Sequence, residues 1–244
     1  MIRITNSVPK LQMVFDICFL FPAYYNVMID LHTHTLFSDG ALLPSELVQR
    51  AYHAGYKAIA LTDHMDMSNV DFIVPRLVKA ATELSGHSPL AILPGAEITH
   101  VPPALISALV LNARNFGAVI VVVHGETIAE PVIPGTNRAG IESGADILSH
   151  PGLISIEDAA LAAEKGVALE ITSRKGHSLT NGHVAKVAMM TGAPMVINTD
   201  SHGPEDLISR AYAAVVLRAA GIPEENIETI FANSRKLVER VGRS

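Results

Sequence analysis

The sequence contains one cysteine, Cys18, and no tryptophan, and aromatic residues make up only 5% of its 244 positions. A lone cysteine forms no internal disulfide and supplies no thiolate pair for zinc, so disulfide staples and cysteine metal sites are excluded and a reducing cytoplasm is the expected compartment. The few aromatics provide no basic, aromatic strip on which single-stranded nucleic acid could stack. Positive charge is also short, with 18 Lys and Arg against 24 Asp and Glu, a net charge of -6. Binding along extended nucleic acid relies on cations that neutralise phosphates, so no such partner is expected and a small substrate or a short nucleotide end fits better. Long apolar runs are missing as well. The segment 14–25 follows Arg3 and Lys10 in the manner of a secretory signal, but Asp16 and Pro22 interrupt it. It falls short of the roughly 20 apolar residues of a membrane span, so no membrane contact is expected. Residues 1–27 are read as an N-terminal extension ahead of a working start at Met28, and residues 28–244 as a single catalytic domain.

What is present is apolar and periodic. Hydrophobic residues make up 49% of the chain and charged ones 17%, which suits a folded α/β enzyme rather than a disordered chain. From Met28 onward, short β-branched runs alternate with longer Ala- and Leu-rich segments, the pattern of repeated βα units around a parallel sheet. Seven strands are predicted near 28–32, 58–62, 90–96, 118–123, 145–149, 167–171 and 195–199, each a near-continuous apolar run of the kind parallel burial demands. Pro44-Ser45-Glu46 opens one helix and Ala54-Gly55 closes it; Pro204-Glu205-Asp206 reads as the opening of another, and a last helix covers about 223–241. The stretches 131–140 and 101–103 read as loops. Such alternation fits either a barrel or an open doubly wound sheet, and both place ligands at the carboxyl ends of strands.

At those ends the polar residues accumulate: His32-Thr-His34 with Asp39, Asp63-His64, Glu97, His124, His150, and Asp200-Ser-His202. In a period-two strand the two histidines of His-x-His face one side and can grip one cation together, and Asp200-x-His202 repeats the spacing. Any one of these histidines alone would more often be a satisfied polar residue. Six histidines and several acids on one rim would bury mutual repulsion that cations offset. Imidazoles and carboxylates without thiolates suit Mn, Fe or Zn, and nine donors exceed the needs of one tetrahedral ion, so two to three divalent ions are expected as cofactors. A carboxylate is the usual bridge between ions, and Glu97 is central in the order.

The set His32-Thr-His34, Thr62-Asp63-His64, Glu97 with His124 and His150, and Asp200-Ser-His202 resembles the motifs of the PHP family, the polymerase and histidinol phosphatase metal hydrolases, from Met28 to about residue 241. The resemblance implies a distorted (β/α)7 TIM-like barrel with a trinuclear active site at the C-terminal ends of its strands. It implies that His32 and His34 hold one ion with Asp200, that Glu97 bridges to a second held by His124 and His150, and that Asp39, His64 and His202 hold a third. Asp39 stands where some members have histidine, which favours a harder, oxygen-preferring metal such as Mn or Fe over Zn. Asp63 is expected to orient His64 from behind.

Clustered cations supply hydroxide near neutral pH and hold phosphate oxygens during in-line displacement, so attack of a metal-bridging hydroxide on the phosphorus of a small phosphorylated substrate is the expected chemistry. Glu97, Asp200 and His202 belong to that catalytic group. His177, in the loop Ser173-Arg174-Lys175-Gly176-His177, is the expected proton donor to the leaving oxygen, unless a bound water serves. Arg174, Lys175 and Arg138 are the cations expected to hold the phosphate, each with a solvated loop charge as the alternative. Thr99 and His100 could line the site, although His100 reads more readily as a loop histidine; the segment 125–138 could form a lid, and His53, His87 and His183 read as ordinary helix or loop residues. A phosphomonoesterase resembling histidinol-phosphate phosphatases, or one for nucleotide or sugar phosphates, leads. A phosphodiesterase or 3′–5′ exonuclease, an amidohydrolase, and a non-catalytic metal-stabilised subunit are the alternatives. Sequence gives no oligomeric state.

Overall fold

The apolar runs become parallel strands, and nearly every one is followed by a helix that returns the chain to the start of the next. The computed structural model describes residues 27–242; the segment 14–25, Cys18 and the reading of an N-terminal extension lie outside the described residues. In chain order the elements are β1 (Met28–Asp30), α1 (Pro44–His53), β2 (Tyr56–Leu61), β3 (His64–Met65), α2 (Val70–Ser85), β4 (Ala91–Ile98), α3 (Pro103–Phe116), β5 (Ile120–His124), α4 (Thr136–Glu142), β6 (Ile147–Ser149), α5 (Ile156–Lys165), β7 (Ala168–Thr172), α6 (Asn181–Thr191), β8 (Met195–Asn198), α7 (Arg210–Ala219) and α8 (Glu224–Val241). Strands pair in the order β1-β2-β4-β5-β6-β7-β8, all parallel, with the two-residue β3 added beside β4. The seven predicted strands are all present, and the fold is a distorted (β/α)7 TIM-like barrel.

Period-two alternation divides the core. One set of strand residues, including Ile29, Leu31, Ala58, Ala60, Leu93, Val122 and Val196, fills the barrel, and Leu237, Val238 and Val241 of α8 pack against it. The alternate set, including Ile59, Leu61, Ile92, Val121, Leu169 and Ile197, joins the apolar faces of the helices in a larger outer cluster. Helix ends follow local chemistry. Pro44 and Glu46 occupy the first turn of α1, with Ala54 at its C-cap, and the Ser155 side chain accepts from Asp158 N at the start of α5.

The barrel closes between β1 and β8 through side chains as well as backbone. Leu31 N donates to Asn198 Oδ1 at 2.9 Å, Thr199 Oγ1 donates to buried Asp30, and His34 N donates to Ser201 O at 2.8 Å beside an isolated Thr33–Ser201 bridge. Two predicted features are corrected. Pro204 opens only a single 3-10 turn, Pro204–Asp206, because the Asp206 carboxylate turns back to accept from His202 N and Gly203 N; the helix starts at Arg210. Within 131–140, residues from Thr136 onward form α4, because Glu126 Oε1 accepts from both Gly135 N and Asn137 N at 2.9 Å and so caps a helix start that the composition disguises. Among the described residues no helix is long and apolar enough to cross a membrane.

Gly95 follows the barrel-facing phase of Ala91 and Leu93 and is needed for space. A Cβ there would lie 2.6 Å from Thr62 Cγ2 and 2.8 Å from the Ile120 carbonyl oxygen. Gly95→Ala is expected to lower unfolding stability by about 1–3 kcal/mol through overpacking, measured as a drop in the urea midpoint; an unchanged midpoint would show that the strands can part there.

Candidate metal centre

The phase that fills the barrel with apolar side chains turns polar at the carboxyl ends of the same strands. Ala91, Leu93 and Gly95 lead to Glu97; Ile120 and Val122 lead to His124; Ala168 leads to Glu170; Val196 and Asn198 lead to Asp200. His64 of β3 sits in register with Glu97. His32, His34 and His202 lie past the ends of β1 and β8, so strand alternation is not what converges them. Instead the seam hydrogen bonds bring these loops together, and His32 and His34 meet with ring centroids 5.0 Å apart. His150 and Asp200 are held at positive φ, 25° and 53°, a cost that backbones bear mostly at functional sites.

All nine sequence candidates come together, in four overlapping groups whose donor atoms lie within 4.8 Å of one another: His34, Asp39, His64 and His202; His32, His34 and Glu97; His32, His150 and Asp200; Glu97, His124 and His150. Asp39, His64 and His202 fall together, as do Glu97, His124 and His150, while His34 also joins the first of these sets and Asp200 groups with His32 and His150. Key separations are His32 Nε2 to Glu97 Oε1, 3.2 Å; His34 Nε2 to Asp200 Oδ1, 3.1 Å; His64 Nδ1 to Glu97 Oε2, 2.6 Å; and His202 Nε2 to Asp39 Oδ2, 3.3 Å. His32, His34, Glu97, His124, His150 and Asp200 are buried.

Buried polar atoms normally find hydrogen-bond partners, yet His32 Nε2, both ring nitrogens of His34, His150 Nδ1 and Asp200 Oδ1 have none. Atoms of this kind, converging and solvent-free, fit divalent cations. Charge points the same way. Burial opposes protonation of His32, but Glu170, Glu97 and Asp200 outweigh it and hold the imidazole well above its ordinary range. Burial likewise opposes a proton on His64, and Glu97 and Asp39 lift it to about 10. His34 and His150 lie well below the usual histidine range because burial is reinforced by neighbouring imidazoles. Burial would raise Glu97, but His32 and His64 hold it well below its ordinary value, whereas burial pushes Asp200 up to about 7.

The profile of the PHP domain matches residues 30–179. The chain belongs to the PHP domain family. It is 44% identical over 215 residues to an uncharacterized protein of Methanocaldococcus jannaschii, spanning 87% of this chain and 99% of that one. It is 31% identical over 234 residues to a probable phosphatase of Shewanella pealeana, spanning 82% and 87%. Among solved structures, its fold is similar to a chain in archaeal ribonuclease P with mature tRNA, with TM-score 0.68, 18% identity, and coverage of 87% and 91%. It is also similar to histidinol phosphate phosphatase from Lactococcus lactis complexed with Zn, L-histidinol and phosphate, with TM-score 0.56, 17% identity, and coverage of 80% and 94%. This PHP chain is thus a member of a phosphoesterase family.

Around the centre of the PHP domain the remaining candidates divide. His177 is buried against it, its ring stacked on His150 at 4.2 Å and its Nδ1 2.8 Å from Thr127 Oγ1. Arg174 is bonded to Asp206 Oδ2 at 3.0 Å, on the turn that follows His202. Lys175 is exposed beside it. Arg138 points along the outside of α4 and is matched by Asp158 and Glu142. Asp63 does not touch His64. It accepts from the backbone and hydroxyls of Thr35 and Ser38, fixing the loop that carries Asp39. His64 Nδ1 instead faces Thr99 Oγ1 at 2.7 Å, beside Glu97 Oε2. The segment 125–138 is anchored as well as exposed, since Asn137 bonds Glu126 N and Pro151 O.

Three residues escaped the sequence reading. Glu170 Oε1 lies 2.9 Å from His32 Nδ1 while Oε2 accepts from His150 N, so one carboxylate positions two donors. Ser149 Oγ donates to Glu97 Oε1 at 2.8 Å. A carboxylate in mid-strand was the legible signal for Glu170, because an acid is almost never buried without a partner. Glu130, in the loop after β5, lies 3.1 Å from His124 Nε2 and had no such signal.

Since neighbouring carboxylates favour a proton on His32 and lift His64 to about 10, a cation entering the centre competes with protons there. Metal binding is expected to release protons, with affinity rising from pH 6 to pH 8. Calorimetric titration in two buffers of different ionisation enthalpy measures that release; identical heats would contradict the protonation pattern.

Proposed function

We propose that this chain is a metal-dependent phosphatase acting on a small phosphate monoester, with two to three Mn, Fe or Zn ions held by the nine clustered donors. The observation that carries the reading is the set of buried imidazole and carboxylate atoms without hydrogen-bond partners at the strand ends. His32, His34 and Asp200 would share one ion, Glu97, His124 and His150 a second, and Asp39, His64 and His202 a third, with Glu97 common to the first two. When bound, the cations would lower the pKa of a nucleophilic water and neutralise charge on the phosphate oxygens.

The chain's own groups would do the rest. Glu170 and Ser149 hold His32 and Glu97 in place. In the protonated ring, His177 Nδ1–H donates to Thr127 Oγ1, which leaves the Nε2 proton as the one free to move. Burial lowers the His177 pKa, making its protonated form a stronger acid toward a leaving oxygen. Arg174, with Lys175 beside it, would hold the phosphate; its ion pair with Asp206 ties it to the turn of His202. Arg138, already matched by two acids, is the weaker candidate.

The Shewanella relative named a probable phosphatase and the fold shared with histidinol phosphate phosphatase support this reading. The fold shared with a ribonuclease P chain supports a second one, a subunit that binds RNA without catalysis. The complete set of nine donors, six of them buried, favours the enzyme.

A metal-supplemented screen of phosphomonoesters, phosphodiesters and amides tests the proposal. Turnover of a phosphomonoester is expected. Glu97→Ala should reduce it more than about a hundredfold, beyond the loss typical for residues behind the ligands. Arg174→Ala should raise KM about tenfold, the worth of a charge-assisted hydrogen bond. Activity on diesters or amides alone would overturn the proposal.

A further inference from the structure

Beyond the nine donors, His100 and Glu130 meet His124 from the solvent side. Glu130 Oε2 lies 3.1 Å from His100 Nε2 and 3.1 Å from His124 Nε2, and the three donor atoms fall within 4.8 Å of one another. His124 Nδ1 faces the Gly125 carbonyl oxygen at 3.1 Å. A carbonyl only accepts, so the Nδ1 position carries the hydrogen and a neutral ring presents its lone pair at Nε2. A lone pair 3.1 Å from a carboxylate oxygen is repelled unless a proton or a cation lies between them. Separations near 3 Å are those of ligand atoms each about 2.0–2.2 Å from one shared ion.

The backbone marks the same place. Among the described residues, the non-glycine residues at positive φ are His100, His150 and Asp200; the last two belong to the buried centre. His100 and Glu130 are about 44% and 40% exposed in their side chains, against 0% for Glu97 and 1% for His150. They line a groove of about 650 Å³ together with Asp39, Asp66 and His64, and no Lys or Arg is among its lining residues. A cleft walled by acids concentrates cations from solution.

His124 belongs both to this group and to the buried group of Glu97 and His150, and it has a single nitrogen to offer. The two groups therefore share one donor atom, so an ion moving between them can stay bound to His124. We propose that His100, His124 and Glu130 form an outer divalent-cation site from which an ion passes inward to Glu97, His124 and His150. His124 keeps hold of the ion while Glu130 and His100 are exchanged for Glu97 and His150. The inference rests on the metal reading of the buried centre and not on the choice of phosphate as substrate.

Uptake of Co²⁺ by the metal-stripped full-length chain, followed by stopped-flow absorption and then by elemental analysis of the final count, tests it. Glu130→Gln and His100→Ala should each slow uptake about tenfold or more, a size typical of groups that assist metal binding, and still reach the wild-type number of ions. Wild-type rates in both variants would overturn the outer site. A final count reduced by one ion would overturn the transfer and make the two residues fixed ligands. A wild-type chain that takes up no cobalt would instead overturn the metal reading itself, which separates the two failures.

Discussion

Imidazole nitrogens and a carboxylate oxygen that lack hydrogen-bond partners, packed against acids in a solvent-free pocket, are the constraint on which this structure turns. Neutralising the acids alone would leave the nitrogens unpaired. The surrounding shell shows the same demand. Glu170 reaches His32 and the backbone of His150, Ser149 reaches Glu97, and Thr99 reaches His64, so the donors are aimed by hydrogen bonds from behind. Divalent cations satisfy such an arrangement, and their charge offsets the cost of collecting Glu97, Asp200 and Asp39 in one place.

The same requirement explains how the barrel closes. Its last seam is made by buried polar groups, Asp30 with Thr199 and Asn198 with Leu31 N, and Asn198 also donates to Glu170. Closure and donor positioning therefore share atoms. A barrel parted between β1 and β8 would separate His32 and His34 from Asp200 and His202, which ties the fold's integrity to the geometry of the centre.

Much of this was legible in the sequence. The seven apolar runs reported parallel strands because both faces of each strand are buried, one inside the barrel and one under helices. Glu97 and His124 were legible because they continue the barrel-facing phase of their strands, and His64 and Asp200 because they follow apolar strand runs. His32-Thr-His34 was identified by its spacing although its convergence comes from the seam rather than from strand alternation. Other features depended on side chains distant in sequence. The capping carboxylate of Glu126 converts an apparent Pro/Gly loop into α4, and Asp206 folds back to end a helix that its sequence seems to begin. Glu130 lies in a loop with no periodicity, so only the folded chain brings it to His124. Asp63 adjoins a proposed ligand in sequence yet serves the loop of Asp39, since chain proximity does not set side-chain direction.

Fold and family make this chain a PHP domain, and its proposed chemistry depends on cations at the buried donors. Elemental analysis of the purified full-length chain, combined with its far-ultraviolet circular dichroism, tests that directly. More than one equivalent of Mn, Fe or Zn per folded chain is expected. A fully folded chain that carries none and takes up none on titration would contradict it.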